Sequence, residues 1–191
     1  MIAVTGTPCV GKTVVSALLA SRIDALRIDL GKLVSHEKLW SGVDKTRETL
    51  IADIPRLSMR IQELIEESKR DIVLDSHYAF DVVPAKTIHV VFVLRRDPDE
   101  LREFMRKREL QGKKLKENLA AEVLDVCLFN AVAVSGVDNV SEIDCTGKET
   151  ETVVEEMIAV LEGRAPRRVG IVDWLGKLER EGRLEEVLED F

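Results

Sequence analysis

The segment with the clearest chemistry is a glycine-rich stretch, GTPCVGKT at residues 6–13, which fits the pattern G-x-x-x-x-G-K-[ST]. Gly6 and Gly11 let the backbone bend so that successive N–H groups point at phosphate oxygens. Lys12 can reach the β- and γ-phosphates of a nucleoside triphosphate, and Thr13 can offer its hydroxyl to Mg²⁺. We therefore predict a phosphate-binding loop between a strand and a helix.

Cys9 stands in this loop at a place where many such loops have glycine. One interpretation is a small spacer whose backbone N–H still serves phosphate. The other is a reactive thiolate beside a helix N-terminus, which would make the loop sensitive to oxidation. The three cysteines, Cys9, Cys127 and Cys145, are odd in number and widely spaced. This spacing argues against a disulfide framework or a zinc site and favours a reducing, cytoplasmic location.

An acid and a histidine end an apolar run in VLDSH, residues 73–77. A phosphate loop needs an acid on a neighbouring strand to hold the hydrated metal, and Asp75 is placed for this role. His77 could be structural, or it could orient water, Mg²⁺ or the γ-phosphate, since histidine exchanges protons near neutrality. We favour the second interpretation, because ligands lie beyond the carboxyl ends of parallel strands. A zinc role is excluded, because His36 and His89 lack ligand spacing.

Residues 101–116, LREFMRKRELQGKKLK, are dense in lysine and arginine. Such a run is usually a solvated helix face. Here it follows a strongly apolar strand, where cations could stabilise the charge that develops on a transferred phosphoryl group. Because the arginine fork suits phosphate, we predict that Arg108, and after it Arg95, contacts phosphate.

Strands that alternate with helices must position these groups. Strands are predicted at 2–5, 26–30, 71–75, 88–94 and 139–145, and helices at 13–22, 31–40, 55–69, 97–109, roughly 114–134 and 149–162. Residues 41–53 are polar with little periodicity, so they predict no regular element. The alternation indicates a parallel sheet with helices on both faces, a three-layer α/β/α fold.

Composition sets the remaining limits. The chain has 191 residues, of which 45 % are hydrophobic and 33 % charged, which suits one domain with a sizeable core. The net charge of −7 gives no global reason to bind DNA. No apolar run reaches the ~18 residues that span a membrane, and polar residues interrupt the N-terminal apolar stretch, so neither membrane insertion nor a signal peptide is expected.

The composition shifts at GRAPRRVG, residues 163–170, and a charged amphipathic tail follows to residue 191. Gly176 and Gly182 weaken this tail as a single helix. The favoured interpretation is a helical segment packed back on the core, and the alternative is an arm that binds a partner.

The segments GTPCVGKT, VLDSH, HVVFVLRRDPDEL and KKLKENLAAEV together resemble the adenylate kinase isoenzyme six family over roughly residues 1–162. That family includes archaeal members and a eukaryotic nuclear ATPase linked to maturation of the small ribosomal subunit. The resemblance implies the fold of a P-loop NTPase of the nucleoside monophosphate kinase type, with a five-stranded parallel sheet. It also implies a monophosphate-binding segment at 29–52 and a short lid at 107–117, with the tail at 163–191 outside the family pattern.

The resemblance implies a broad-specificity kinase that moves the γ-phosphate of ATP, with Mg²⁺, to AMP and other nucleoside monophosphates, and that also hydrolyses ATP. It implies a platform protein of the small ribosomal subunit, the eleventh in the universal naming, as a partner during late pre-rRNA processing. The sequence departs from the family pattern at three places. Cys9 replaces a glycine, Glu109 and Leu110 stand in place of Gly-Tyr after the lid arginine, and segment 44–52 has no acidic run. These departures concern the monophosphate acceptor and the closure of the lid. The residues carried over are Gly6, Cys9, Gly11, Lys12, Thr13, Val14, Asp53, Arg56, Asp75, His77, Arg108 and Lys148.

Two other functions are alternatives to a nucleoside monophosphate kinase. One is an ATP-switched assembly factor whose output is a shape change on a ribosomal protein. The other, which is weaker, is a small-metabolite kinase of the shikimate type, because the second strand ends in RIDLGKL without the paired acids that would hold a hydroxylated substrate. Stimulation of ATP consumption by AMP separates the first of these from the kinase.

Overall fold

A five-stranded parallel sheet forms the centre of the computed structural model, which describes residues 1–44, 49–76 and 82–188. The strands along the chain are β1 Ile2–Gly6, β2 Leu26–Asp29, β3 Trp40–Asp44, β4 Thr49–Ala52, β5 Ile72–Asp75, β6 Val90–Arg95 and β7 Val140–Asp144. The central sheet has the order β2-β5-β1-β6-β7, and β3 pairs antiparallel with β4 in a separate hairpin. Both predicted features, five strands and parallel pairing, are confirmed.

Nine α-helices lie in the described part of the chain, and aspartates cap several of them. They are α1 Lys12–Arg22, α2 Leu30–His36, α3 Ile54–Glu67, α4 Pro98–Lys107, α5 Gly112–Val123, α6 Val126–Ser135, α7 Thr150–Leu161, α8 Trp174–Arg180 and α9 Glu185–Leu188. Asp29, Asp53 and Asp97 cap α2, α3 and α4 by accepting hydrogen bonds from backbone N–H groups of the first turn. A proline in the first turn of α3 and of α4 costs no hydrogen bond.

Two apolar clusters cover the two faces of the sheet and make the three layers. Successive residues of a strand point to opposite faces, so Val4 and Phe92 belong to one cluster and Ala3 and Val91 to the other. Helices α1, α4, α5 and α7 supply the first cluster, and α2, α3 and α6 the second. Full burial of a Val, Leu, Ile, Phe or Met side chain stabilises the fold by about 1.5–3 kcal/mol relative to leaving that side chain exposed.

Two sequence predictions are wrong in detail. The single helix expected at roughly 114–134 is two helices, α5 and α6, because Asp125 adopts a left-handed backbone with φ 57° between them. The chain bends by 54° there. Residues 41–53, where no regular element is predicted, contain the β3–β4 hairpin with Val43 opposite Leu50.

The tail packs on the core, as the favoured interpretation predicted. Leu178 and Val187 are buried in the same cluster as Leu101 and Met105. The tail forms two short helices, α8 and α9, because Gly182 between them has a φ of 66°.

Within the part of the chain that is described, no single helix has both the length and the apolar composition to cross a membrane.

Candidate active site

The phosphate loop joins β1 to α1, and its shape depends on glycine. Gly6 has a φ of 141°, and a Cβ there would lie 2.5 Å from the carbonyl oxygen of Leu94 on β6. Gly11, with a φ of 118°, precedes the first residue of α1. Lys12 extends back along the loop, where its Nζ donates to the carbonyl oxygens of Gly6 at 2.7 Å and Thr7 at 2.9 Å.

The ammonium group of Lys12 is buried, and nearby groups compensate its positive charge only in part. Burial lowers the pKa of Lys12, and the nearby Cys127 and Asp75 offset only part of this effect. A phosphate group bound in the loop would supply the missing negative charge and favour the charged lysine. The location of Lys12 therefore agrees with the phosphate-binding role that the sequence predicts.

Asp75 is buried at the carboxyl end of β5 and held by two donors that the sequence analysis missed. Ser16 Oγ donates to Asp75 Oδ2 at 2.9 Å, and Arg27 Nη2 lies 2.5 Å from the same oxygen. Arg27 also contacts Asp29 Oδ2 at 3.1 Å and donates from Nε to Ser16 Oγ at 2.8 Å. Asp29 and Asp75 are register partners on β2 and β5, so one guanidinium can bridge them. The alternation of Arg27 and Asp29 on one face of β2 was the available signal.

The residues predicted to hold Mg²⁺, Thr13 and Asp75, form a suitable oxygen donor set. A hydroxyl and a carboxylate are the hard ligands that Mg²⁺ takes together with water and nucleotide phosphates. Ser16 links the two positions, because its Oγ lies 3.3 Å from the carbonyl oxygen of Thr13 and also donates to Asp75. Ser16 and Arg27 both contact Oδ2 of Asp75, so these two donors hold the carboxylate through one of its oxygens.

The guanidinium of Arg95 is buried among carboxylates and is not placed to contact phosphate, so this prediction is wrong. Its side chain is buried, and its Nε donates to Glu122 Oε1 at 2.9 Å. Its other nitrogens pair with Asp125 and, at 2.5 Å, with Glu142. Burial acts to lower the pKa of Arg95, but the carboxylates of Glu122 and Asp125 outweigh it and raise the pKa. Arg95 is the centre of a buried ion cluster beneath the site.

That ion cluster supports the phosphate loop through Glu122 on α5. Thr7 Oγ1 donates to Glu122 Oε2 at 2.5 Å, which ties the loop to α5. Arg96, which the sequence analysis did not single out, holds the loop from another side by donating from Nε to the carbonyl oxygen of Val10 at 3.2 Å. Its guanidinium also lies 4.8 Å from the ring centre of Phe104.

A cleft of about 990 Å³ opens at this edge of the sheet. Arg108, the residue that ends α4, lines it together with Lys12 and Thr13. The opposite wall comes from α2, the hairpin and the start of α3. The lining residues of that wall are Gly31, Val34, Thr49, Leu50, Ile51, Ala52 and Ile54.

Other predicted site residues lie around this cleft or outside the described residues. Cys9 lines the cleft, whereas Val14 is exposed one position beyond Thr13. Asp53 caps α3, and Arg56 beside it is exposed. Lys148 pairs with Glu156 on α7, through Nζ–Oε distances of 2.7 and 2.9 Å. His77 lies outside the described residues, so its role stays a prediction.

The fold and the site define the class of protein. A glycine-rich loop after β1, an acid at the end of the adjacent β5 and an arginine that lines the same cleft are the parts of a P-loop phosphotransferase. The parallel sheet places all of them at its carboxyl edge, where such folds bind ligands.

Comparisons with known proteins identify the family. The family model described as an AAA domain matches residues 2–125. A relative from Methanocaldococcus jannaschii is 36 % identical over 92 % of this chain and 93 % of its own length. One from Thermococcus onnurineus is 38 % identical over 91 % of each chain, and both are named "Putative adenylate kinase". The chain therefore belongs to the same family as these archaeal proteins named "Putative adenylate kinase", which confirms the resemblance.

A solved structure supports the fold. The deoxyadenosine kinase of M. mycoides superposes with a TM-score of 0.57 over 85 % of this chain and 98 % of its own, at 16 % identity. At this identity the similarity shows the kinase fold and nothing about the substrate.

Proposed function

We propose that the protein is a nucleoside monophosphate kinase that transfers the γ-phosphate of ATP to AMP. The observation that carries the proposal is the two-walled cleft, with Lys12 and Thr13 on one wall and residues of α2 and the β3–β4 hairpin on the other. Its volume of about 990 Å³ lies at the top of the range for single-ligand sites, about 300–1,000 Å³. A phosphoryl acceptor therefore has room opposite the phosphate loop.

Each residue has a role in the transfer. A phosphate oxygen of AMP attacks the γ-phosphorus as the bond from that phosphorus to the bridging oxygen of ADP breaks. Lys12 and Arg108 place positive charge beside the equatorial oxygens, where negative charge spreads in the transition state. Mg²⁺, when bound with ATP, supplies charge neutralisation at the β- and γ-phosphates, and Thr13 and Asp75 would hold it. Ser16 and Arg27 keep Asp75 in one orientation.

ATP hydrolysis and a role in small-subunit maturation are further parts of the proposal. The family resemblance supports both, and the net charge of −7 suits a basic ribosomal protein as partner. The hairpin favours the alternative of an ATP-switched assembly factor, because Val43, Leu50 and Ile51 are exposed beside the cleft. In either case we expect His77 to matter more for hydrolysis than for ATP binding.

The test is a turnover assay with Mg²⁺ and ATP, with and without AMP, that follows ADP and free phosphate separately by phosphorus NMR. We expect AMP to drive ADP formation without matching phosphate release. Lys12→Met should lower the AMP-dependent rate by about 10²-fold or more, because a cation at the transferred group is lost. Lys69→Met, at an exposed lysine beyond α3, should leave the rate unchanged.

ADP formation that AMP does not increase, and that equals phosphate release, would contradict the kinase proposal. That result would make the protein an ATPase and turn the search to its protein partner.

A further inference from the structure

One face of α5 runs from the phosphate loop into the cleft. Lys114, Asn118 and Glu122 are spaced by four residues, so they share this face of the helix. Glu122 accepts the hydroxyl hydrogen of Thr7, which places the face against the phosphate loop. Lys114 and Asn118 both line the cleft. This face of α5 therefore continues the wall of the cleft from the phosphate loop towards Arg108.

The amide of Asn118 contains an unpaired donor. Its Nδ2 is buried and has no hydrogen-bond partner, and in the described ranges the one other buried side-chain nitrogen or oxygen in this state is Ser135 Oγ. Buried polar groups are almost always paired, because an unpaired donor destabilises the folded protein. A donor left unpaired at the wall of a ligand cleft is explained if the ligand is its partner.

The surroundings indicate which ligand atom that partner is. Asn118 shares the cleft with Lys12, Thr13, Arg108 and Lys114, whose side chains all offer donors. This part of the cleft is therefore arranged for an acceptor with several negatively charged oxygens, such as a phosphoryl group. A neutral amide adds a directed N–H bond without adding to the mutual repulsion of the cations.

We infer that Asn118 donates from Nδ2 to an oxygen of the γ-phosphoryl group while this group moves from ATP to its acceptor. The inference rests on the proposed kinase function for the identity of the group. It assigns to α5 a phosphoryl-contacting residue that adds a side-chain donor to the backbone donors of the phosphate loop. The bond strengthens as negative charge grows on the equatorial oxygens, so it acts mainly on the transition state.

The test compares Asn118→Leu and Asn118→Asp with the wild-type protein. Leu keeps the approximate shape and removes the donor, whereas Asp keeps the shape and turns a negative charge towards phosphate. Calorimetry measures the binding of ADP and of an ATP analogue with a nitrogen between the β- and γ-phosphates, both with Mg²⁺. We expect about 10-fold weaker analogue binding, or more, with ADP binding little changed, and kcat lowered by about 10²-fold. Asn130→Leu, at an exposed amide on α6, is the matched control and should leave all three quantities unchanged.

Stability separates this role from a structural one. Because Asn118→Leu removes an unpaired donor, the urea midpoint of the unliganded variant should equal or exceed that of the wild type. A lower midpoint, together with equal losses of ADP and analogue binding, would overturn the inference, as would unchanged analogue binding and kcat.

The binding comparison also keeps the two proposals apart. If the wild-type protein fails to phosphorylate AMP, the kinase proposal falls, but the ratio of analogue to ADP affinity still decides whether Asn118 contacts the γ-phosphoryl group. If the wild type phosphorylates AMP and Asn118→Leu does so equally well, the inference on Asn118 alone fails.

Discussion

At the scale of single residues, Cys9 shows why glycine is common at its position. Its φ of 71° lies in the left-handed region, which disfavours a side chain. The backbone N–H groups of the loop must point inward for phosphate binding, and this requirement fixes the conformation whatever the side chain. Cys9 is therefore a residue held under strain by the loop around it.

This strain gives a stability prediction. Cys9→Gly should raise the free energy of unfolding by about 1 kcal/mol, because the left-handed conformation no longer disfavours the residue. ATP affinity should be kept, since the contacts come from the backbone. Urea denaturation and calorimetric ATP binding measure the two quantities.

The control is Gly11→Ala, which places a side chain at a φ of 118° and should destabilise the protein. If Cys9→Gly lowered ATP affinity at least 10-fold, the thiol itself would be part of the site and the spacer interpretation would be wrong.

Motif chemistry predicts the residues of the loop but not their supports. The positions of Lys12, Thr13 and Asp75 at one edge of the sheet were predictable, because phosphate loops and their acidic partners follow strands directly; their roles stay predictions. The position of Arg27 was not predictable, since its partnership with Asp75 depends on the register of β2 against β5. Arg95 was predicted wrongly, because an arginine after a strand has the same sequence pattern whether it faces phosphate or buried carboxylates. Its partner Glu142 lies 47 residues away in the chain.

At the scale of elements, segments with a strong apolar pattern were predicted correctly, whereas breaks that depend on the backbone conformation of one residue were not. All six residues of β6 are buried, so its apolar sequence correctly predicted a central strand. The break between α5 and α6 depends on Asp125, whose left-handed backbone is not marked by glycine or proline. The β3–β4 hairpin escaped prediction because most of its side chains are exposed and its sequence does not alternate apolar with polar residues.

The tail joins the core through one buried cluster and a set of surface ion pairs. Lys177 on α8 pairs with Asp97, and Arg183, which lies between α8 and α9, pairs bidentately with Asp99, so the tail is anchored at the start of α4. The Arg183 guanidinium lowers the pKa of Asp99. The pair therefore stabilises the fold fully at pH values above the ordinary pKa of aspartate, and this stabilisation is lost as the pH falls through the lowered pKa. Partly exposed pairs contribute at most about 1 kcal/mol each, so burial dominates.

Leu178 is the residue that tests whether the tail is docked on the core by burial of its apolar side chains. Leu178→Ala should lower the free energy of unfolding by about 2–5 kcal/mol, because a fully buried leucine leaves a cavity. Leu175→Ala on the same helix, at a side chain that is 40 % exposed, should change it far less. Chemical denaturation of both variants gives the comparison, and equal effects would show that the tail is not docked in solution.

At the scale of the whole molecule, the parallel sheet brings distant segments to one edge. The strand order places β1 between β5 and β6, so the loop, Asp75 and the ion cluster around Arg95 meet although they lie far apart in sequence. The hairpin and α2 then close the cleft from the far side. The general architecture followed from the alternation of strands and helices, whereas the pairing of side chains across the cleft required the structure.

The most direct measurement follows the phosphate itself. The wild-type protein is given Mg²⁺, AMP and ATP labelled in the γ-phosphate, and the labelled product is identified before any back reaction accumulates. We expect label in the β-phosphate of ADP made from AMP, and loss of this product in Lys12→Met. Label found solely in inorganic phosphate, at a rate that AMP does not change, would show that the protein is not a nucleoside monophosphate kinase.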